Sequence, residues 1–228
     1  MAGRRLRCRG AIAGWVLVVG FGFVCMVGAI LPDAASAGQV ATETLTADFP
    51  ERDRLPQSDT PESAWYTPGR FGAWGPRPSA YPAVTPPEGM DPLAWTRLRI
   101  AAVARRYEGL PYRRHHIPGW NPPGVGPGLD CSNFSAWVYN YGLGIRFSSD
   151  IARQAEGPRA PGRRLAQGEP FAVGDLLFIT KKDRSRVSHA VIWLGGGNII
   201  DAHAGSVRAR RYSGWYVDCF SHARRVLE

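Results

Sequence analysis

Asp130-Cys131-Ser132-Asn133-Phe134-Ser135-Ala136-Trp137-Val138-Tyr139-Asn140-Tyr141-Gly142 is the stretch on which the fold turns. Phe134, Trp137, Val138 and Tyr141 recur at helical spacing, so a helix is predicted to begin at Asp130 or Cys131 and to stop at Gly142 or Gly144. Upstream, Asp91 can cap a helix with Pro92 in its first turn. Leu93, Ile100, Val103, Ala104 and Tyr107 share one face there, which predicts a helix over Leu93 to Tyr107. Downstream lie three strand-like runs: Gly174 to Thr180, Ser188 to Leu194 and Asn198 to Ala202. Gly195-Gly196-Gly197 reads as a hairpin turn between the last two, and Val207 to Tyr212 is a candidate fourth strand. Helices first and a meander afterwards predict an α+β domain.

A cysteine at a helix start is chemically distinctive. The thiolate is the attacking species, and an ordinary thiol is mostly protonated at neutral pH, so a reactive cysteine needs a helix N-terminus or a nearby base. Cys131 has the first by position, where amide N–H groups can also meet a developing oxyanion. His189, at the start of a strand, is the candidate base. Asp201 lies twelve residues further on, across the glycine hairpin, where antiparallel pairing brings Ser188-His189 near Ile200-Asp201. His203, on the same strand face, is a rival for the role of orienting the imidazole. Read blandly, Cys131 is a packed core thiol or half of a bridge with Cys219.

The chain ends carry other information. Arg4, Arg5, Arg7 and Arg9 precede an apolar run from Ala11 to Leu31, and Ala35-Ser36-Ala37 supplies small residues for cleavage. Residues 1–37 are therefore read as a signal peptide, with an uncleaved membrane anchor as the rival. That implies a periplasmic or secreted protein. Cys8 and Cys25 fall in this leader, leaving Cys131 and Cys219 in the mature chain, which excludes a disulfide-built scaffold. Residues 38–90 are proline-rich: 38–61 read as a linker without regular structure, and 64–87, with Trp65, Tyr66, Phe71, Trp74 and Tyr81, as an irregular arm packed on a domain of residues 91–228. The formal charge is +9, nearly all of it arginine. It suits an anionic polymer such as the cell wall, and no nucleic-acid-binding motif accompanies it.

Three blocks in order carry a resemblance. Asp130-Cys131-Ser132-Asn133-Phe134, Val173-Gly174-Asp175-Leu176-Leu177-Phe178 and Ser188-His189-Ala190-Val191-Ile192-Trp193-Leu194-Gly195 resemble the NlpC-type cell-wall cysteine peptidases. The resemblance covers about Leu93 to Ala202. It implies a papain-like α+β fold, with the cysteine helix packed on an antiparallel sheet. It also implies cleavage of peptidoglycan stem peptides, commonly between D-glutamate and the diamino acid, without a cofactor. By position, Cys131 matches the nucleophile, His189 the base and Asp201 the third, polar member. Asp130 and Ser132 match residues that flank the nucleophile and help bind the substrate's amine, and Tyr112 matches a tyrosine placed near the cysteine, whose hydroxyl can donate to the oxyanion or to a substrate carbonyl.

Two departures bear on substrate. Asn133 stands where a glycine is usual, and Arg113-Arg114-His115-His116-Ile117-Pro118-Gly119-Trp120 replaces a short glycine-rich turn. A loop this long inside a domain is usually functional, so His115, His116 and Trp120 are read as cleft wall. The paired histidines lack zinc-site spacing, so no metal is expected there. An amidase or acyl transferase on another acylated substrate, and a non-catalytic wall-binding module, are the alternative functions.

Overall fold

The computed structural model describes residues 42–61, 76–119 and 126–228. The expected leader, with its possible membrane span, and Trp120 lie outside the described residues. Helices α1 (Thr42–Thr46), α2 (Phe49–Asp53), α3 (Pro92–Arg106), α4 (Cys131–Leu143), α5 (Ile151–Glu156) and α6 (Trp215–Asp218) accompany six strands. The strands are β1 (Arg163–Arg164), β2 (Leu176–Thr180), β3 (Val187–Gly195), β4 (Asn198–His203), β5 (Ser206–Arg211) and β6 (Phe220–Arg225). They form one antiparallel sheet in the order β1-β6-β2-β3-β4-β5. The papain-like α+β arrangement is present: α4, bearing Cys131, packs on the sheet that bears His189.

Helix α4 is apolar on nearly every side, so it must be central, and every residue in it except Asn133 is buried. Its ends are closed by the residues that the sequence marks. The Asp130 carboxylate accepts the Ser132 and Asn133 amides, and Gly144 closes the C-terminus at φ 72°. Gly142 allows α3 to approach, since a Cβ there would lie 3.3 Å from Ile100 Cδ1 and 3.4 Å from Val103 Cγ2. Alternation then sorts the sheet. Leu176, Phe178, Ala190, Ile192, Ile200 and Ala202 join the core with α3 and α4. Leu177, Ile179, Val191 and Ile199 form a second core with Tyr216 and Cys219.

The sequence pattern does not mark β1, β6, α1, α2, α5 or α6, of which β6 and the α1–α2 pair bear most on the fold. Strand β6, Phe-Ser-His-Ala-Arg-Arg, is inserted between β1 and β2 although half its residues are cationic or imidazole. Its charges are satisfied individually. Arg225 gives two bonds to Asp175, 3.0 Å from Nε to Oδ1 and 2.7 Å from Nη2 to Oδ2, and a third to Glu169 at 2.9 Å. Asp175 is only 2% exposed. Asp175→Ala would leave the Arg225 guanidinium with only Glu169 and the Pro170 carbonyl as partners, and we expect a loss of about 2 kcal/mol of stability, measured by chemical denaturation.

The second element corrects the linker reading of residues 38–61: 42–53 carry α1 and α2, docked on the back of α3 and α4. Two arginines make this possible. Arg52 Nη1 donates to Tyr141 O at 2.8 Å and Arg99 Nε to Gly142 O at 2.6 Å, while Asp48 pairs with both guanidinium groups. Cations therefore satisfy carbonyls at the C-terminal end of α4, where the helix dipole favours them. Burial opposes ionisation of Asp48, but both arginines outweigh it and hold the carboxyl below its ordinary range.

Candidate active site

Cys131 occupies the first position of α4 and is 7% exposed. Asp130 fixes the backbone around it. Its Oδ1 accepts the Asn133 amide at 2.9 Å, and the Ser132 amide and Ser132 Oγ at 3.1 Å each. Its Oδ2 accepts the His115 amide at 3.2 Å, tying down the start of the 113–119 loop, where His115 itself has φ 58°. Both oxygens are thus engaged in holding the helix tip and the loop. By position alone, any of the first-turn amides could meet an oxyanion. Asp130 takes those of Ser132 and Asn133, leaving the Cys131 N–H as the one beside the sulfur that it does not occupy.

Gln154, which the sequence did not single out, locks α5 to this tip. Fully buried, it donates to Ser132 O at 2.8 Å and Ser148 O at 2.7 Å, and accepts from Ser135 Oγ at 2.8 Å. Every hydrogen-bonding site on the amide that a partner can reach is used, which leaves α4 little freedom to shift.

His189 sits near the start of β3. Continuing the Ile192↔Ile200 register places His203 opposite it and Asp201 two pairs along, on the same face. The diagonal neighbour makes the bond: His189 Nε2 lies 2.6 Å from Asp201 Oδ2. His203 packs its ring 4.9 Å from that of His189 instead. With Nε2 taken, Nδ1 is the ring nitrogen left for the Cys131 thiol, with which His189 also interacts. Burial works against an imidazolium here, yet the hydrogen bonds and charges of Asp201 and Cys131 prevail and push His189 up to about 9. His203 is held below its ordinary value by burial and by His189.

Asp201 has no exposed surface and needs donors on both oxygens. Arg210 Nε supplies one to Oδ1 at 2.8 Å, and the Tyr216 hydroxyl supplies another to Oδ2 at 2.8 Å. Burial raises Asp201, but His189, Tyr216 and Arg210 together keep it below its ordinary value. Trp215 lies 5.4 Å from both the His189 and His203 rings, shielding the pair. Arg210, Trp215 and Tyr216 were not picked out from sequence. Arg210 shares β5 with an ordinary basic run, and Trp215-Tyr216 resembles any short aromatic turn.

A cleft of about 1050 Å³ opens over Cys131, bordered by Tyr112, Arg114, His115, Asp130 and Ser132 on one side. Tyr112 is placed by its amide bond to Gly205 O at 2.9 Å and by bridging with Leu129. Burial, followed by the nearby Cys131 and Asp130, raises its phenol, which therefore stays protonated as a donor. His116, read from sequence as cleft wall, instead borders a separate cavity of about 240 Å³ with Arg77, Asn133 and Arg146. Cys131 and Cys219 form no disulfide, and Cys219 is packed in the second core.

His189, Asp201 and His203 each bring one donor atom within 4.8 Å of the others, the spacing a metal ion could use. An ion there would have to displace the His189–Asp201 and Tyr216–Asp201 hydrogen bonds and sit close to the Arg210 guanidinium. The donor set fits a hydrogen-bonded relay better than a cation site.

A Bacillus subtilis gamma-DL-glutamyl hydrolase is 31% identical over 103 residues, covering 45% of this chain and 22% of that protein. A probable endopeptidase p60 of Listeria grayi is 31% identical over 108 residues, covering 47% of this chain and 18% of its own. The chain thus spans about a fifth of the length of these curated relatives. A solved NlpC/P60 family protein from Bacillus cereus, 23% identical, superposes with a TM-score of 0.48, covering 64% of this chain and 42% of that one. The NlpC/P60 family model matches residues 113–225, which contain Cys131, His189 and Asp201, and this part of the chain belongs to that family.

Proposed function

We propose that this protein is an exported cysteine hydrolase of peptidoglycan stem peptides, cutting the amide between D-glutamate and the diamino acid. The observation that carries the reading is the relay from Asp201 through His189 to Cys131 at the floor of a cleft large enough for a peptide. The glutamyl bond is supported by the B. subtilis relative, whose name specifies gamma-DL-glutamyl hydrolysis. The leader read over residues 1–37 supports export, since the substrate lies outside the cytoplasm.

In this mechanism the Cys131 sulfur attacks the amide carbonyl carbon while the C=O electron pair moves onto oxygen. The Cys131 N–H and the Tyr112 hydroxyl receive that oxyanion. His189, carrying the thiol proton, gives it to the leaving amine as the C–N bond breaks, and a thioester remains on Cys131. Water then attacks the thioester, His189 taking its proton and returning it to the sulfur. Asp201 keeps the imidazole ring in line through both halves, and Tyr216 and Arg210 keep Asp201 in line.

The test is digestion of purified peptidoglycan by wild type and by Cys131→Ala, with fragments identified by mass spectrometry. New amino termini on the diamino acid, absent with Cys131→Ala, are the expected result. Fragments opened at another bond would reassign the substrate, and an unchanged digest with Cys131→Ala would remove the sulfur from the chemistry.

A further inference from the structure

Beyond Cys131, the cleft is lined on its far side by the β2–β3 hairpin and by α5, and its charge is uneven. Arg114, Arg153, Lys181, Arg184 and Arg186 border it, against the carboxylates Asp130, Asp150 and Glu156. Two of those carboxylates are already occupied: Asp130 caps α4, and Asp150 caps α5 by accepting the Arg153 amide at 2.9 Å. Two of the cations are also committed. Arg114 hydrogen-bonds the Tyr112 phenol, and Arg184 donates to Asp218 O at 2.6 Å. Arg153, Lys181 and Arg186 enter none of the ion pairs among the described residues. Asp183, at the hairpin tip, turns its carboxylate to the Ser185 amide at 2.9 Å.

The hairpin holds Lys181 and Arg186 side by side, since the Lys181 amide donates to Arg186 O at 3.0 Å. Arg186 immediately precedes β3 and lies three residues before His189, about 10 Å along extended chain, within reach of the first few residues of a bound peptide. Side-chain length shortens that further. The imidazole must face the leaving amine in order to protonate it, and the hairpin turn that leads into its strand holds these cations on the border of the same cleft, toward the leaving half of the substrate. The geometry points to Lys181 and Arg186, faced by Arg153, as a subsite for a carboxylate on the leaving side of the scissile bond.

This rests on the hydrolase reading above and sharpens it: the preferred substrate ends in, or continues through, a free carboxylate one or two residues past the cut. A pair of γ-D-glutamyl-diamino acid peptides, identical except that the diamino acid carboxyl is free or amidated, tests it. Binding to Cys131→Ala protein is measured by calorimetry, and turnover by the parent protein is followed in parallel. The free acid should bind about tenfold more tightly, the size of one charge-assisted contact, and the preference should shrink as salt is added. In Lys181→Gln/Arg186→Gln protein the preference should fall to near unity, with affinity for the amide unchanged. Equal binding of the two peptides, or a preference that survives the double substitution, overturns the subsite. A preference lost on substitution, but with no turnover by the parent protein, upholds the subsite and defeats the hydrolase reading instead.

Discussion

Replacing His189 with alanine should lower kcat/KM by about 10⁴-fold or more, because the same imidazole takes the thiol proton and delivers it to the leaving amine. His189 is 3% exposed and hydrogen-bonded to a buried aspartate, so its position beside the sulfur is fixed before substrate arrives. A fluorogenic peptide assay measures the loss, and circular dichroism checks that the sheet survives. His203→Ala is the matched control. Its ring packs on His189 without making the Asp201 bond, so a loss of a few-fold only is expected. An equal loss in both variants would transfer the base's role away from His189.

Asp201→Asn should cost about 100-fold in kcat/KM and should move the alkaline limb of the pH–rate profile downward. The sign follows from the forces on His189. Burial lowers its pKa, while Asp201 and Cys131 raise it and set it at about 9. The imidazolium is therefore present below that pH, and activity that depends on it is lost as pH rises through about 9 in the wild type. Removing the carboxylate charge leaves the burial effect less opposed, so the same limb appears at lower pH. Stability follows the same sign. The contribution of this raised histidine is full below its unfolded value of 6.5 and disappears as pH climbs through about 9. Asparagine also turns an NH₂ toward either Arg210 or the Tyr216–His189 side, where donors already point. Tyr216→Phe keeps the charge and removes one neutral donor, so a loss of about fivefold is expected, with the alkaline limb near its wild-type position. A limb that stays at about 9 in Asp201→Asn would mean that the aspartate does not set the imidazole's charge.

Much of the fold was legible because its patterns are local. Helices α3 and α4 announce themselves through Asp91, Pro92 and Asp130 at their starts and through apolar residues at helical spacing, and the structure places their ends within a residue or two of the reading. Strands β2 to β5 alternate or run apolar between turns, two of which carry glycine at 195–197 and 205. What stayed hidden depends on partners distant in sequence. Strand β6 has no apolar pattern of its own and depends on Asp175 and Glu169 being brought to Arg225, and α1 and α2 read as linker until α4 offers two carbonyls to Arg52 and Arg99.

The candidate site divides the same way. Cys131, His189 and Asp201 stand in recognisable contexts, a capped helix start and two strands joined by a glycine hairpin. The choice between Asp201 and His203 could not be made from alternation, which puts both on one face. The strand register and the 2.6 Å bond separate them. Tyr216 and Arg210 act on the site only through Asp201, and nothing in their own neighbourhoods marks them. Asp130 was read as a group for substrate, whereas in the structure both of its oxygens hold the helix tip and the 113–119 loop.

The account depends on Cys131 and His189 working as one ionised couple. Its most direct test is brief exposure of the intact protein to iodoacetamide at pH 6, with the modified residue located by peptide mass spectrometry. Rapid labelling of Cys131 but not of the packed Cys219, abolished in His189→Ala, is the predicted result. Labelling of Cys131 at the same slow rate in both proteins would contradict it.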